Sequence, residues 1–336
     1  MTAQAAARPR SDYGRLLAEV SAAGLLQRRA SRYLARLAAL SVVSAGGVLA
    51  LLALGNSWWQ LPLAALFAGI AAQVGFLGHD AGHQQVFRSR RANDSLGLLL
   101  AGLGLGLSYR WWVDKHNRHH QAPNQIDHDP DVAPGVLAWT TSQAAGQSRW
   151  LQWLVRRQAA LFVPLLVLEA WNLHVGSVRA VLLRRAAGEG ALLLAHATVV
   201  VGALLLVMSP AKVALFVVVQ QSLFGLYLGC SFAPNHKGMP VTEAGDPGER
   251  DFLRRQVLTA RDVRGGRVLT AAFGGLNLQI EHHLFPSMPS PNLRRCRPLV
   301  KAFCHAQGLP YTETTLLDSY RQALRHLHAV APHRSG

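Results

Sequence analysis

WWQLPLAALFAGIAAQVGFLGHDAGH, residues 58–83, is the stretch on which the fold turns. Residues 58–78 form an apolar run of the length that crosses a bilayer, about 20 residues. The run ends on His79 and His83, four residues apart. Residues at that spacing share one face of a helix. Two imidazoles therefore leave the end of a membrane span side by side. Immediately upstream lies a second apolar run, LAALSVVSAGGVLALLAL at 37–54, separated from the first by Gly55, Asn56 and Ser57. The spacing predicts a tight helical hairpin with Trp58 and Trp59 at the membrane interface. The pattern recurs downstream, where 191–208 and 213–232 are apolar and joined by SPAK.

Charge orients these spans. Arg8, Arg10, Arg15, Arg28, Arg29, Arg32 and Arg36 precede the first, and Arg88, Arg90 and Arg91 follow the second. Arg179, Arg184 and Arg185 precede the third, whereas the hairpin loops carry only Lys212. The positive-inside rule then puts both hairpin loops outside and everything else in the cytosol. Residues 1–33 lack the apolar core and cleavage site of a signal peptide. They are expected to be a cytosolic N-terminal segment.

Composition agrees with this reading. Only 15% of the chain is charged while half is hydrophobic, against about 25% charged in soluble proteins. The net charge of +16 suits a cytoplasmic face against anionic lipid. Nucleic acid is not expected as a partner, since there is no basic stripe with interleaved aromatics. Cys230, Cys296 and Cys304 form no CxxC pair and are read as ordinary reduced thiols. Heavy use of Ala, Leu and Arg points to a GC-rich bacterial genome, hence a bacterial cytoplasmic membrane.

The expected fold is all-α and integral to the membrane. Four transmembrane helices form two hairpins within a single domain, 1–336, with interfacial helices and a cytosolic histidine-rich cap over 233–336. Two apolar stretches do not fit as spans. Residues 96–107 are short and hold Gly97, Gly102, Gly104 and Gly106, as a re-entrant or interfacial helix would. Residues 159–175 contain Glu169 and Asn172 and are flanked by Arg156, Arg157 and Arg179, which suits one interfacial helix. An acidic loop, TEAGDPGERD at 242–251, and a moderately amphipathic helix near 314–328 complete the chain.

Histidine placement points to the chemistry. Besides HDAGH at 79–83 there are HNRHH at 116–120, NHKG at 235–238 and QIEHH at 279–283. On the topology above all of them fall at the cytosolic membrane face, although neither hydropathy nor charge makes use of histidine. His116 shares a helix face with His119 and His120, as Gln279 does with His282 and His283. Imidazole suits iron, zinc and copper. The histidines of these clusters exceed what one tetrahedral zinc can use, so two metals fit better, and iron gives a redox-capable pair. Metal-bound histidines usually pass their other N–H to a carboxylate or carbonyl. Asp80, Asp114, Asp129, Asp131 and Glu281 are candidate acceptors, and Asp129 and Asp131, in the DHDPD loop, equally suit helix capping. His128, His174, His196, His305, His326, His328 and His333 stand outside the clusters and are read as ordinary solvated or hydrogen-bonded residues. There is no HExxH, ExxH, P-loop or GxSxG, which excludes the corresponding hydrolase, di-iron carboxylate and nucleotide chemistries.

HDAGH, HNRHH and QIEHHLFP resemble the three histidine boxes of the membrane fatty acid desaturases. The QxxHH form at Gln279 is similar to the front-end branch, which places a double bond between an existing one and the carboxyl end. FAPNHKG resembles a further histidine site of that branch. The resemblance covers about 57–286. It implies four transmembrane helices under a cytosolic cap and two irons held by His79, His83, His116, His119, His120, His236, His282 and His283. Gln279 is then a weak ligand or an orienting group, with Asp80, Glu281 and Asn235 beside the site. It implies O2 as co-substrate and a cis double bond made in a fatty acyl chain carried by lipid, CoA or a carrier protein. The chain lacks the HPGG haem motif of fused cytochrome b5 domains. A separate donor is therefore expected, a ferredoxin with its reductase, which a basic face would steer. Tyr109, Trp111, Trp112 and Tyr227 could line an acyl tunnel, but interface or core roles suit them better. A hydroxylase or acetylenase of the same family is the alternative outcome. A metal transporter or sensor is the remote one, and it would place ionisable groups at mid-bilayer, where the spans hold His196.

Overall fold

In hydrocarbon a single segment can pair its backbone N–H and C=O groups only along its own helix, and the four apolar runs are helices. The computed structural model describes residues 11–243 and 251–331. Arg8, Arg10, His333 and most of the 242–251 loop lie outside the described residues. Helix α1 is Asp12–Ala22, α2 is Ala30–Leu54, α3 is Gln60–Gly82 and α4 is Arg90–Leu98, which continues into a π-helical segment, Leu99–Gly104. Then follow α5 Tyr109–Gln121, α6 Thr141–Ala145, α7 Arg149–Val155, α8 Gln158–Leu166, α9 Glu169–Arg184, α10 Ala187–Val207 and α11 Pro210–His236. The remainder comprises α12 Phe252–Leu258, β1 Asp262–Val263, α13 Arg267–Ala272, α14 Gln279–Leu284, α15 Ser290–Ala306, β2 Glu313–Thr314 and α16 Leu316–Val330. The parallel pair β1–β2 is the single named sheet among the described residues, so the molecule is all-α.

Among the described residues, α2, α3, α10 and α11 are the unbroken helices long and apolar enough to cross a membrane. Their burial sorts them into inner and outer. In the most apolar part, 44% of α3 and 33% of α11 is buried, against 11% of α2 and of α10. Helices α3 and α11 therefore form the spine, and α2 and α10 flank it with lipid-facing Val42, Leu49, Leu194 and Leu206. Small residues on α3 (Ala64, Ala68, Ala71 and Ala72) let the spine close around Phe76, Phe224 and Leu228. The two hairpin turns meet at one end, where Asn56 accepts from Ser209 N (3.2 Å) and its backbone oxygen accepts from Lys212 Nζ. The histidine-bearing ends of α3 and α11 lie at the other.

Two boundaries differ from the sequence reading. Helix α11 does not stop at 232 but runs to His236, so His236 sits on the last turn of the span rather than beyond it. Pro234 has no N–H for the Cys230 carbonyl, and that oxygen accepts from Tyr320 Oη (2.8 Å) instead. The expected single helix over 159–175 is two, α8 and α9, bent by 70°. Pro164 removes one helical N–H, and the bend closes through short turns, Val167 N to Pro164 O and Leu168 N to Leu165 O. The expected re-entrant stretch at 96–107 turns back by 114° into α5. Its corner is Gly106, at φ +67° with the His196 ring against it, where a Cβ would lie 2.6 Å from that ring.

The cap is built from both ends of the chain. Leu16 and Val20 of α1 pack with Leu253, Val257, Ile280, Leu284, Met288, Cys296 and Val300 in one core. Within the expected N-terminal segment, α1 is thus a helix packed into the cap. Helix α16 closes the opposite flank, with Leu327 against Phe162 of α8 and Val132.

Candidate metal centre

Two buried groups of imidazoles face each other where α3, α5, α11 and α14 converge. His79, His83, His116 and His282 form one, with a ligand nitrogen from each lying within 4.8 Å of the others. His120 joins it, its Nε2 lying 3.1 Å from Nε2 of His116 and 3.1 Å from Nε2 of His282. His119, His236 and His283 form the second group, and His236 Nε2 lies 3.1 Å from His283 Nε2. The groups touch, since His120 and His283 stack with ring centroids 4.1 Å apart. Neighbouring nitrogens bound to one ion at roughly 2.0–2.1 Å sit about 3 Å apart, so the spacing fits cations.

Local structure sets these directions. Positions 79 and 83 leave the last turn of α3 on one face, and 116, 119 and 120 share the inner face of α5. Short α14 carries His282 and His283, and α11 delivers His236 at its terminus.

The far nitrogens of four rings, His79, His119, His236 and His283, are tied. His79 Nδ1 lies 3.0 Å from Asp80 Oδ1, and Asp80 Oδ2 accepts from Ser290 Oγ (2.7 Å). His119 Nδ1 lies 2.9 Å from Asp129 Oδ2. His236 Nδ1 donates to the Thr259 carbonyl (3.0 Å) and His283 Nδ1 to Gln256 Oε1 (2.9 Å). Donation from Nδ1 leaves Nε2 bare and aimed inward. Nε2 of His79 and of His83 is buried without a hydrogen-bond partner. A buried, unpartnered acceptor is costly unless something else binds there, and a cation suits a bare lone pair. Burial, and then the neighbouring histidines, push His116, His120, His282 and His283 well below the usual histidine range. Neutral imidazole is the form that binds metal.

Other candidates fall elsewhere. Asp131 pairs with Lys115 Nζ (2.5 Å) and lies 3.7 Å from His119 Nδ1. Gln279 Nε2 lies 3.0 Å from His236 Nε2, and Asn235 Nδ2 lies 3.3 Å from Gln279 Oε1. Asn235 therefore touches the glutamine rather than the imidazole group. Two expected histidine acceptors do not serve. Asp114 is exposed and pairs with Arg184 Nη1 (2.6 Å). Glu281 is fully buried but accepts from Tyr311 Oη (2.9 Å) beside Asp262. Burial, and then Asp262, hold the Glu281 carboxyl well above its ordinary range.

Trp112 stacks on His116 at 4.6 Å, while Tyr109, Trp111 and Tyr227 pack in or beside the core. His174, His196 and His326 donate a ring N–H to Gly106 O, Leu103 O and Trp139 O, as ordinary residues do. The sequence reading missed Gln256, Thr259 and Ser290. Gln256 also donates to the His120 carbonyl (2.8 Å) and so ties HNRHH to QIEHH.

The comparisons with known proteins agree with this geometry. The fatty acid desaturase family model matches residues 56–315. An acyl-lipid (9-3)-desaturase of Physcomitrium patens is 31% identical over 81% of this chain and 53% of its own. The Delta(6)-fatty-acid desaturase fat-3 of Caenorhabditis elegans is 33% identical over 82% of this chain and 66% of its own. A Delta(8)-fatty-acid desaturase of Helianthus annuus is 27% identical over 95% of this chain and 73% of its own. The chain thus spans about half to two thirds of the length of the first two relatives. With its paired histidine groups and a match over most of its length, the chain belongs to the fatty acid desaturase family.

Proposed function

We propose that this chain is an O2-dependent fatty acyl desaturase that makes a cis double bond at a pair of irons. The observation that carries the reading is the convergence of eight histidines from four separate segments into two facing groups, with Nε2 of His79 and His83 buried and unpartnered. His79, His83, His116, His120 and His282 would hold one iron, and His119, His236 and His283 the other. When bound, the pair supplies the oxidising power of O2, so that a hydrogen leaves each of two adjacent methylenes and dioxygen goes to water with a pair of electrons from a donor.

The side chains hold and insulate. Asp80, Asp129, Gln256 and the Thr259 carbonyl keep the rings of His79, His119, His283 and His236 in the tautomer and direction that a ligand needs. Trp112 and the neighbouring apolar cores keep bulk water from the rings. An unactivated chain has no polar handle at the bond to be oxidised, so apolar packing must fix which carbons reach the irons. The relatives are named for acyl-lipid, Delta(6) and Delta(8) activities, and a lipid-borne or CoA-borne acyl chain fits a site at the end of membrane helices. The arginines flanking the spans support a cytosolic site. They also support a separate acidic donor of the ferredoxin type. A bacterial membrane rests on composition alone.

Expression in a host that supplies a ferredoxin and its reductase, with fatty acid methyl esters analysed by gas chromatography and mass spectrometry, tests the reading. A new cis-unsaturated species that vanishes in His283→Ala supports it. A hydroxylated or acetylenic product would reassign the outcome of the same centre. No new acyl product from folded, iron-loaded protein would overturn it.

A further inference from the structure

The two boxes ending in paired histidines differ at their first position, His116 in one and Gln279 in the other. A glutamine can serve a metal centre in two opposite ways, as a ligand through its oxygen or as a donor through its nitrogen. Its neighbour Asn235 decides between them. Asn235 is fully buried, and its Nδ2 reaches Ser231 O (3.1 Å), Leu276 O (3.0 Å) and Gln279 Oε1 (3.3 Å). Turning the Asn235 amide over would set its oxygen against two backbone carbonyls. The nitrogen side is therefore fixed by its surroundings. The Gln279 atom facing that nitrogen must be its oxygen, because an NH2 there would meet another NH2. The Gln279 NH2 then points the other way, to His236 Nε2 at 3.0 Å. That nitrogen is bare, because His236 Nδ1 donates to Thr259 O.

We propose that Gln279 is a hydrogen-bond donor at the centre and not a metal ligand. The second group then offers three protein ligands, His119, His236 and His283. The coordination position beside Gln279 stays open to water or a small anion, and the Gln279 N–H stabilises whatever occupies it. A metal site with three protein ligands keeps a place for an outside molecule, and a fixed N–H donor is the group that holds an anion there. The inference rests on the iron-centre reading above.

The test uses full-length, iron-loaded protein in detergent, with azide as the probe, for wild type and Gln279→Leu. Iron per chain is measured by elemental analysis, and azide affinity by absorbance titration. A donor role leaves the iron content unchanged and weakens azide binding by about tenfold, the lower end for loss of a group supporting a metal site. Loss of iron from folded Gln279→Leu would overturn the inference, because a ligand would have been removed. Tighter azide binding would overturn it too, because an occupied position would have opened. Unchanged azide affinity would equally overturn it, since Gln279 would then not line the open position. Should Leu disturb folding, Gln279→Glu puts a carboxylate oxygen where the donor stood. Iron is expected to stay and azide binding to be lost, and azide affinity at or above wild type would count against the donor role. Wild type that binds no iron would remove the iron-centre reading itself and this inference with it, a result distinct from any change confined to the variants.

Discussion

Asp129 does three things at once. Its carboxylate lies 2.9 Å from His119 Nδ1 and accepts from Asn124 N (2.7 Å) and Asp131 N (2.9 Å). Asp129→Ala should weaken iron binding by about 10- to 100-fold, through a His119 ring no longer held. It should also cost about 1–3 kcal/mol of stability, through buried donors left unmet. Competition against a chelator and thermal melting read the two effects, and iron affinity equal to wild type would contradict the orienting role. Asp129 was legible because it sits in a short acidic loop after HNRHH. Glu281 and Asp114 were misassigned for a geometric reason. Glu281 turns to Tyr311 beside Asp262, and Asp114 turns to Arg184, partners that lie well away in sequence. Gln256, Thr259 and Ser290 were not legible, since their partners lie far away in sequence, Ser290 being 210 residues from Asp80.

Among elements, the α8–α9 break depends on what passes behind it. A Cβ on Gly225 of α11 would lie 2.7 Å from Ala170 N and 3.0 Å from both Leu166 O and Val167 O. Those atoms are backbone and cannot swing aside. Gly225→Ala should therefore cost about 1–3 kcal/mol, as overpacking does. Gly202 of α10 has open space where its Cβ would stand, and Gly202→Ala should be neutral or gain up to about 1 kcal/mol from helix propensity. Melting temperatures of the two variants in detergent check the contrast, and equal values would contradict the close approach. The spans themselves were legible from hydropathy, because lipid leaves the backbone no other choice. The break was not, since it depends on Pro164 together with a glycine on a helix more than 50 residues away in sequence.

At the scale of the whole molecule, both hairpin turns lie at one end and the imidazoles at the other, and the arginine pattern supports the proposal that the imidazole end faces the cytosol. In a cysteine-free background, Ala211→Cys should react with a membrane-impermeant maleimide on intact cells, and Arg254→Cys only after the membrane is opened. The reverse pattern would contradict the orientation. The joining of the N-terminal α1 to the C-terminal cap was hidden in the sequence, because Leu16 and Val20 find their core partners more than 200 residues away. The clustering of the histidine boxes at one end was legible, because spans of known length fix where their ends fall. Iron content of detergent-purified protein, wild type beside His119→Ala, tests the paired metal centre most directly. About two irons per chain, sharply reduced in the folded variant, is the expected result. A folded, monodisperse wild-type protein that takes up no metal even with iron supplied would contradict it.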